Sequence, residues 1–441
     1  MHSKGRFPNA IFGASPRPEG AALAIMLLFL IFVLLFITLA AQPAQAQTFT
    51  VIYNFTGGSD GLEPQAGLTI DKAGNLYGTA IVGGRGGYGT VFKLAHINSG
   101  WIFTPIYSFT GGNDGAQPRA RLVFGPDGSL YGTTTQGGGG NGCGGQGCGT
   151  VFRLRPAPTA CKTALCPWSE TALYRFTGTL DGGEPSGAVT FDKAGNIYGA
   201  TAQGGPQSGN CFLGSCGTVY KLTPSNGSWT ESVLYSFAGG TDGQWPVGSV
   251  IFDSAGNLYG STNGGGFSGG SYGYGTIFQL MPSGSSWLET ILHAFQGGTD
   301  GQGQQDSPIL DKSGNLYGTT AGGGTSGGGT VYELTPSNGG WTLTTLYDLA
   351  GTAGPGGGVI MDAAGNLYAT TQLDGVYGQG SAFKLTHSDN AWIYNSLHDF
   401  TGGSDGKLPY CSLAMDASGN LYGTTSQGGT YGYGGVFEIT P

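Results

Sequence analysis

Short apolar runs separated by glycine-rich stretches recur along the chain from Phe49 to its end. Each repeating unit holds four runs of strand length, rich in β-branched and aromatic residues and bounded by Gly, Asn, Asp or Pro. In order, they are Pro-x-x-x-Leu-x-x-Asp, Asn-Leu-Tyr-Gly-Thr-Thr, Gly-Thr-Val-Phe-x-Leu, and a run with Trp that ends in Leu-Tyr-x-Phe. No stretch after residue 46 has helical periodicity, so the pattern predicts an all-β chain.

The number of repeats can be read from the copies of the second run. It belongs to an anchor segment, Asp-x-x-Gly-Asn-Leu-Tyr-Gly, seen in clean form from Asp253 to Gly260. Its copies have their Asn, or the Ser of one weaker copy, at Asn75, Ser129, Asn196, Asn257, Asn315, Asn366 and Asn420. Successive anchors lie 51 to 67 residues apart. Four strands in that length match a propeller blade, so we expect one domain, residues 47–441, folded as a seven-bladed β-propeller of four-stranded blades.

The two ends of the repeat array complement each other. A fourth-type run, Phe49 to Phe55, precedes the first complete unit, and the last unit stops after its third run, Gly435 to Thr440. We therefore expect the N-terminal strand to complete the last blade and close the ring, which removes free sheet edges.

The first 46 residues have the features of a secretory signal peptide. Basic residues precede an apolar run from Ala21 to Ala41, and Ala44-Gln-Ala46 offers a cleavage site. The run is nearly long enough to cross a bilayer, so a retained N-terminal membrane anchor is the alternative. Either way, we expect a secreted, periplasmic or cell-surface protein.

Composition narrows the set of partners. Glycine is abundant at 89 residues without a Gly-X-Y period, which suits many tight turns rather than collagen. The formal net charge is −9, and an acidic surface repels phosphate backbones, so nucleic acid is not expected as a partner. We expect a monomer.

The combination of Gly-Gly-x-Asp-Gly, Gly-Asn-Leu-Tyr-Gly-Thr-Thr and Gly-Thr-Val-Phe resembles the GloVer (Gloeo_Verruco) tandem repeat of exported bacterial proteins. The resemblance covers nearly all of residues 49–441. It implies a surface or secreted repeat protein of undefined activity.

Gly-Gly-x-Asp-Gly connects one blade to the next and supplies one carboxylate in most units. The aspartates are Asp60, Asp114, Asp181, Asp242, Asp300 and Asp405. Each can close its own turn by accepting backbone N–H groups. The alternative is that they ring the channel mouth as an oxygen-rich site for Ca²⁺ or a polyol. Calcium is therefore a candidate ligand, and no other cofactor is expected.

Aromatic residues occupy the loops of the same predicted face. Trp245 and Tyr410 flank Pro246 and Pro409, and the loops between second and third strands carry Tyr88, Tyr272, Tyr274, Tyr377, Tyr431 and Tyr433. These tyrosines either cover glycine backbone or, with the carboxylates, form a face that stacks on a sugar. We select Trp245, Tyr88, Tyr274 and Tyr433, with the six aspartates, as candidate ligand-binding residues.

Two further groups of residues are expected to have structural roles. The fourth-run tryptophans and the histidines that replace Tyr in Leu-Tyr-x-Phe, His293 and His398, should pack between blades. Three cysteine pairs share a Cys-x₄-Cys spacing that predicts local disulfides in an exported chain, with zinc binding as the alternative. The pairs are Cys143 with Cys148, Cys161 with Cys166, and Cys211 with Cys216, and Cys411 is left over.

No Ser-His-Asp order, Gly-x-Ser-x-Gly, phosphate loop or His-Glu-x-x-His occurs, so we assign no catalytic residue. The sequence favours an exported binding or surface-interaction module, with an extracellular glycan or an envelope protein as partner. The alternatives are a carbohydrate-active propeller hydrolase or lyase and a purely structural envelope protein. An enzyme needs a locally unique cluster of unlike groups, and the main polar irregularities near the face are Glu63, Arg119, Arg121, Glu184 and Asp306.

Overall fold

The computed structural model describes residues 47–98, 100–156, 168–211, 214–266, 272–389 and 391–440. These residues form 28 β-strands and one three-residue 3₁₀ helix, arranged as seven four-stranded antiparallel sheets. The prediction of an all-β, seven-bladed propeller is confirmed. The predicted signal peptide, residues 1–46, lies outside the described residues, and its cleavage stays a prediction.

The strands are, in chain order, β1 (Thr48–Asn54), β2 (Thr69–Ile70), β3 (Leu76–Ala80), β4 (Thr90–Ile97), β5 (Gly100–Ser108), β6 (Val123–Phe124), β7 (Leu130–Thr134), β8 (Thr150–Arg155), β9 (Ser169–Arg175), β10 (Thr190–Phe191), β11 (Ile197–Thr201), β12 (Thr218–Ser225), β13 (Ser228–Ser236), β14 (Gln244–Phe252), β15 (Leu258–Gly264), β16 (Thr276–Ser283), β17 (Ser286–Ala294), β18 (Ile309–Leu310), β19 (Leu316–Thr319), β20 (Thr330–Ser337), β21 (Gly340–Asp348), β22 (Ile360–Met361), β23 (Leu367–Thr371), β24 (Ser381–Ser388), β25 (Ala391–Asp399), β26 (Ala414–Met415), β27 (Leu421–Thr425) and β28 (Gly435–Thr440). The 3₁₀ helix, Gly298–Asp300, follows β17.

Consecutive strands make the blades. Blades 1 to 6 are β2–β5, β6–β9, β10–β13, β14–β17, β18–β21 and β22–β25. Blade 7 contains β26, β27 and β28, and its fourth strand is β1 from the start of the chain. Strand β1 runs antiparallel to β28, with pairs from Thr48↔Thr440 to Asn54↔Gly435. The described chain therefore begins and ends in the same sheet.

The first strands of the blades meet around the central axis. Ser412 of blade 7 donates its hydroxyl to Asp306 Oδ2 of blade 5 at 2.6 Å and accepts the backbone N–H of Gly358 of blade 6 at 2.8 Å. Between blades 3 and 4 the backbones approach so closely that a Cβ on Gly187 would collide with the Gly248 carbonyl oxygen. The first strands are therefore closely packed at these contacts.

The hydrophobic core lies between neighbouring blades. Val91 and Phe109 of blade 1, for example, pack with Leu130 and Phe152 of blade 2 in one buried cluster. The fourth-strand tryptophans contact the anchor-segment tyrosines of the preceding blade; the pairs are Trp101 with Tyr422, Trp168 with Tyr77, and Trp341 with Tyr259. The expectation that these tryptophans pack between blades is confirmed where those contacts are described.

The anchor segment is the hairpin between the first and second strands. Asp253 Oδ1 accepts the N–H groups of Ala255 and Asn257, while Oδ2 accepts the Asn257 amide and the Tyr259 hydroxyl. Gly256 has φ 88°, a conformation that favours glycine. Equivalent hydrogen bonds form around Asp71, Asp192, Asp311, Asp362 and Asp416. The turn prediction is confirmed, and the Tyr has a polar role in the turn besides its packing.

Candidate ligand-binding face

Two sets of connections emerge at one end of the propeller. Because adjacent strands of a blade are antiparallel, the loops between second and third strands lie at the same end as the links to the next blade. We call this end the loop face, and the opposite end, with the anchor segments and the third-to-fourth-strand hairpins, the hairpin face. The two sets contact each other: Leu62 pairs with Val82, and Gly84 N–H donates to the Gly58 carbonyl at 2.9 Å. All ten predicted ligand-binding residues are on the loop face.

The six predicted aspartates each bind their own connection. Asp60 accepts the backbone N–H and the hydroxyl of Thr56, both at 2.7 Å, and the Tyr53 hydroxyl at 2.9 Å. Each Asp is also hydrogen-bonded to the Tyr hydroxyl or His Nε2 seven residues before it; the pairs are Tyr53–Asp60, Tyr107–Asp114, Tyr174–Asp181, Tyr235–Asp242, His293–Asp300 and His398–Asp405. Each carboxylate is therefore held beside the outer strand of its own blade. The constant seven-residue spacing in the sequence could have predicted this hydrogen bond, whereas only a packing role was expected for the Tyr or His.

These hydrogen bonds lower the pKa of the aspartates, whereas burial raises it. Burial alone would raise the pKa of Asp60, but the bonds from Thr56 and Tyr53 outweigh it, and the pKa is lowered. At Asp242 burial prevails over the bonds from Ala238 and Tyr235, and the pKa is raised. Among the described residues, no group of three or more His, Cys, Asp or Glu is arranged to hold a metal ion. That the aspartates contact a bound ligand, and that Ca²⁺ binds at this face, both stay predictions.

The loop tyrosines fall into two groups. The rings of Tyr88, Tyr274 and Tyr433 lie over Gly111, Gly297 and Gly57 of their own blades, where an added Cβ would approach the ring to between 2.7 and 3.0 Å. They cover glycine backbone and still keep 38 to 48 % of their surface exposed. A second group is more open: Tyr377, Tyr431 and Tyr272 are 59, 57 and 54 % exposed. The loop face therefore presents aromatic surface.

Trp245 stands at the start of β14 in an unusual backbone conformation. Its φ is 54°, which is rare for a bulky residue, and its N–H donates to the Cys216 carbonyl at 2.9 Å. Cys216 forms a disulfide with Cys211, so a cross-linked loop of blade 3 holds the backbone of Trp245. The half-buried indole meets the Tyr272 ring edge to face, with centroids 5.1 Å apart. Trp245 and Tyr272 therefore form an aromatic pair on the loop face.

Glu184 occupies the equivalent position in blade 3. Its φ is 55°, and its N–H donates to the Cys148 carbonyl at 2.8 Å. Cys148 is disulfide-bonded to Cys143. Burial raises the pKa of the Glu184 carboxyl, although a hydrogen bond from Gln203 and the nearby charge of Arg119 act against that rise. Arg119 and Glu184, two of the irregular polar residues in the sequence, lie within electrostatic range of each other but form no ion pair.

Two of the three predicted disulfides are present among the described residues. The bonds Cys143–Cys148 and Cys211–Cys216 are confirmed. The third predicted bond, between Cys161 and Cys166, falls on residues 157–167, which lie outside the described residues, so it stays a prediction.

Cys411, the cysteine left over from the pairs, is a buried free thiol. Across the described ranges, no helix has the length and apolar character needed to cross a membrane.

The chain belongs to the Gloeobacter/Verrucomicrobia repeat family, whose pattern matches residues 38–266 and 267–441. The predicted resemblance is thus confirmed. No curated protein matches the chain.

Solved structures share the fold at low identity. One is the extracellular domain of the hybrid two-component system BT4673 from B. thetaiotaomicron, with 13 % identity and a TM-score of 0.50; the alignment covers 90 % of this chain and 42 % of that chain. Another is a polysaccharide lyase of family PL25, an ulvan lyase bound to -[GlcA(1-4)Rha3S]-, with 11 % identity, a TM-score of 0.51, and coverage of 88 % and 95 %. This chain therefore spans less than half of the first structure and nearly all of the second. The propeller, the repeat family and the disulfides fit an exported surface or binding module.

Proposed function

We propose that the protein is an exported binding module whose loop face takes an extracellular glycan. The observation that carries this proposal is the Trp245–Tyr272 pair, an aromatic surface at the end of the propeller where the more open tyrosines also lie. Sugar rings bind to such surfaces through their apolar faces, while nearby amides and carboxylates take the hydroxyl groups.

The support around Trp245 suits a binding site. Rigid aromatic anchors contribute to affinity because little side-chain freedom is lost on binding. Here the disulfide loop of blade 3 fixes the backbone of Trp245, and its ring packs against Tyr272. The six aspartates stiffen the connections between blades, and their direct contact with ligand or Ca²⁺ belongs to the proposal rather than to its support.

The test is a glycan-array screen of the protein purified after export, with and without EDTA. The informative variant is Trp245→Gly, since glycine suits the positive φ and Gly303 already occupies the equivalent position in blade 5. Leu408→Gly is the matched control, because Leu408 has φ 53° at the same position of blade 7 and lacks the ring. We expect Trp245→Gly to weaken binding about tenfold or more and Leu408→Gly to leave it unchanged. The absence of any bound glycan, in either condition, would refute the proposal.

A carbohydrate-active enzyme is the second candidate, and one observation favours it. The half-buried carboxyl of Glu184 lies on the loop face, has a raised pKa, and is close enough to Arg119 to feel its charge. A carboxyl whose pKa is raised by burial is the kind of group that transfers protons in glycosidases and lyases. Incubating bound glycans with the protein and measuring new reducing ends or unsaturated products would reveal turnover. If turnover is found and Glu184→Gln abolishes it, the protein is an enzyme. If no turnover is found, the binding module remains the proposed function.

A further inference from the structure

A cleft of 640 Å³ lies on the hairpin face between blades 2 and 3, away from the loop face. Its walls are formed by β8 and β9 of blade 2, with Arg153, Arg155 and Thr171, and by the β12–β13 hairpin of blade 3, with Trp229. The volume is within the range of small-ligand sites. Two arginines and an indole on the same walls suggest an anionic ligand with a ring.

Blade 2 departs from the repeat at this place. At the position of Arg153 three other blades carry a lysine, and each of those lysines lies over the anchor tyrosine of its own blade, 5.5 to 5.6 Å from the ring centroid. At the position of Arg155 the other blades carry uncharged residues: Ala95, Thr223, Met281, Thr335, Thr386 and Thr440. The second cation is therefore specific to blade 2.

Within the described part of the chain, a single carboxylate lies near both guanidinium groups. Arg153 and Arg155 lie 3.9 and 4.0 Å from the same oxygen, Asp127 Oδ2, which is beyond hydrogen-bond distance. Asp127 already accepts the N–H and the hydroxyl of Ser129, both at 3.0 Å. The Arg153 Nε is buried and has no hydrogen-bond partner among the described residues. Among the described residues, one shared carboxylate leaves a net positive charge on the two arginines, on a chain that is acidic as a whole.

We propose that this cleft binds one acidic sugar unit. The carboxylate or sulfate ester of the sugar would accept hydrogen bonds from Arg153 and Arg155, because a planar guanidinium matches the oxygen pairs of these groups. The sugar ring would lie against the half-buried indole of Trp229. This site does not depend on the loop-face proposal, since its residues are on other strands and at the other end of the blades.

The test is isothermal titration calorimetry on the protein purified after export. The probes are a uronate oligosaccharide, a sulfated oligosaccharide, a neutral oligosaccharide of equal length, and inorganic sulfate and phosphate. We expect at least one acidic oligosaccharide to bind and the neutral one not to bind at this site. The double variant Arg153→Gln/Arg155→Gln should lose about tenfold or more in affinity, the loss typical of a charge-assisted hydrogen bond.

Two further variants test whether the arginines of this cleft hold the sugar. Arg155→Gln alone changes a side chain that is 60 % exposed, so its weakened binding cannot be attributed to misfolding. Arg85→Gln removes one exposed cation from the loop face and should leave binding unchanged. Equal affinities for Arg85→Gln and the double variant would overturn the proposal, as would failure of both acidic oligosaccharides to bind. Binding of inorganic sulfate or phosphate alone would overturn the assignment to a sugar. Loss of loop-face binding in Trp245→Gly leaves this test unaffected.

Discussion

Three half-buried glutamates should make the propeller less stable as the pH rises from acid to neutral. Each lies two residues after the fourth-strand tryptophan in blades 2, 3 and 4, at an interface with the preceding blade; they are Glu170, Glu231 and Glu289. Each has a buried Oε1 without a hydrogen-bond partner among the described residues. The other blades place an apolar or aromatic side chain there, such as Phe103, which stacks on Tyr53 at 4.0 Å, and Tyr394, which stacks on Tyr347 at 4.9 Å.

The charges around these glutamates oppose their ionisation. Burial, followed by repulsion from an aspartate of the preceding connection, raises the pKa of each from 4.5 to about 7. The repelling aspartates are Asp114 for Glu170, Asp181 for Glu231 and Asp242 for Glu289, and only Glu170 also faces an opposing cation, Arg175.

The sign and the size follow from proton linkage. Between pH 4.5 and about 7 the folded chain holds these protons while the unfolded chain releases them, so stability falls as the pH rises through that window. The contribution of these three groups to stability does not change with pH below about 4.5 or above about 7. A pKa difference of this size corresponds to about 3 kcal/mol per group at full strength. Because the carboxyls are only partly buried, solvent screening reduces this to about 1 kcal/mol each, or about 3 kcal/mol for the three.

The assay is urea denaturation followed by circular dichroism at pH values from 4 to 8. The triple variant Glu170→Gln/Glu231→Gln/Glu289→Gln keeps the shape of the side chains and removes their ionisation. We expect it to be about 3 kcal/mol more stable than the parent at pH 8 and nearly equal at pH 4. Asp389→Asn is the matched control, since it removes a negative charge from an exposed hairpin where φ is 51°. A stability difference that does not change with pH would refute the reasoning.

Three further predictions test the frame of the propeller. Asp253→Ala should cost about 1–3 kcal/mol in chemical denaturation, because four donors lose their acceptor, and a cost no greater than that of an exposed Asp→Ala change would contradict the turn assignment. A chain that starts at Gly57 loses β1 and the fully buried Phe55, so its melting temperature should fall well below that of the chain starting at Gln47; an unchanged value would contradict the role of β1. Cys211→Ser/Cys216→Ser should cost about 2–3 kcal/mol and loosen the backbone of Trp245, which its hydrogen-exchange rate would report, whereas an unchanged rate would show that the disulfide does not support it.

The architecture was predictable from the sequence because it depends on local signals that repeat. The anchor segment predicts both a turn and a strand. Asp253 and Gly256 form the hairpin, and Leu258 and Tyr259 of the following strand are both buried. A spacing that holds across seven copies leaves few other folds. The strand count, the blade count and the two described disulfides followed from such signals.

The candidate site was only partly predictable because it depends on contacts between blades. No spacing rule relates Glu184 to the Cys148 carbonyl or Trp245 to the Cys216 carbonyl, since each pair joins two blades. The three interface glutamates were missed for the same reason. Their position after the tryptophan was visible, but the neighbouring aspartate that makes them unusual lies more than 40 residues earlier in the chain.

The irregular features are concentrated in one part of the ring. Both described disulfides, the half-buried Glu184, the Trp245–Tyr272 pair and the cationic cleft all belong to blades 2, 3 and 4. A protein with seven equivalent ligand sites would repeat these residues in every blade. The backbone conformation of Glu184 and Trp245 recurs at Glu63, Gln117 and Leu408, but only Glu184 and Trp245 are bonded to a disulfide-linked loop, which adds rigidity where the side chains differ from the repeat. If the protein binds a glycan as proposed, this distribution favours its specific contacts in blades 2, 3 and 4, with the other blades completing the ring.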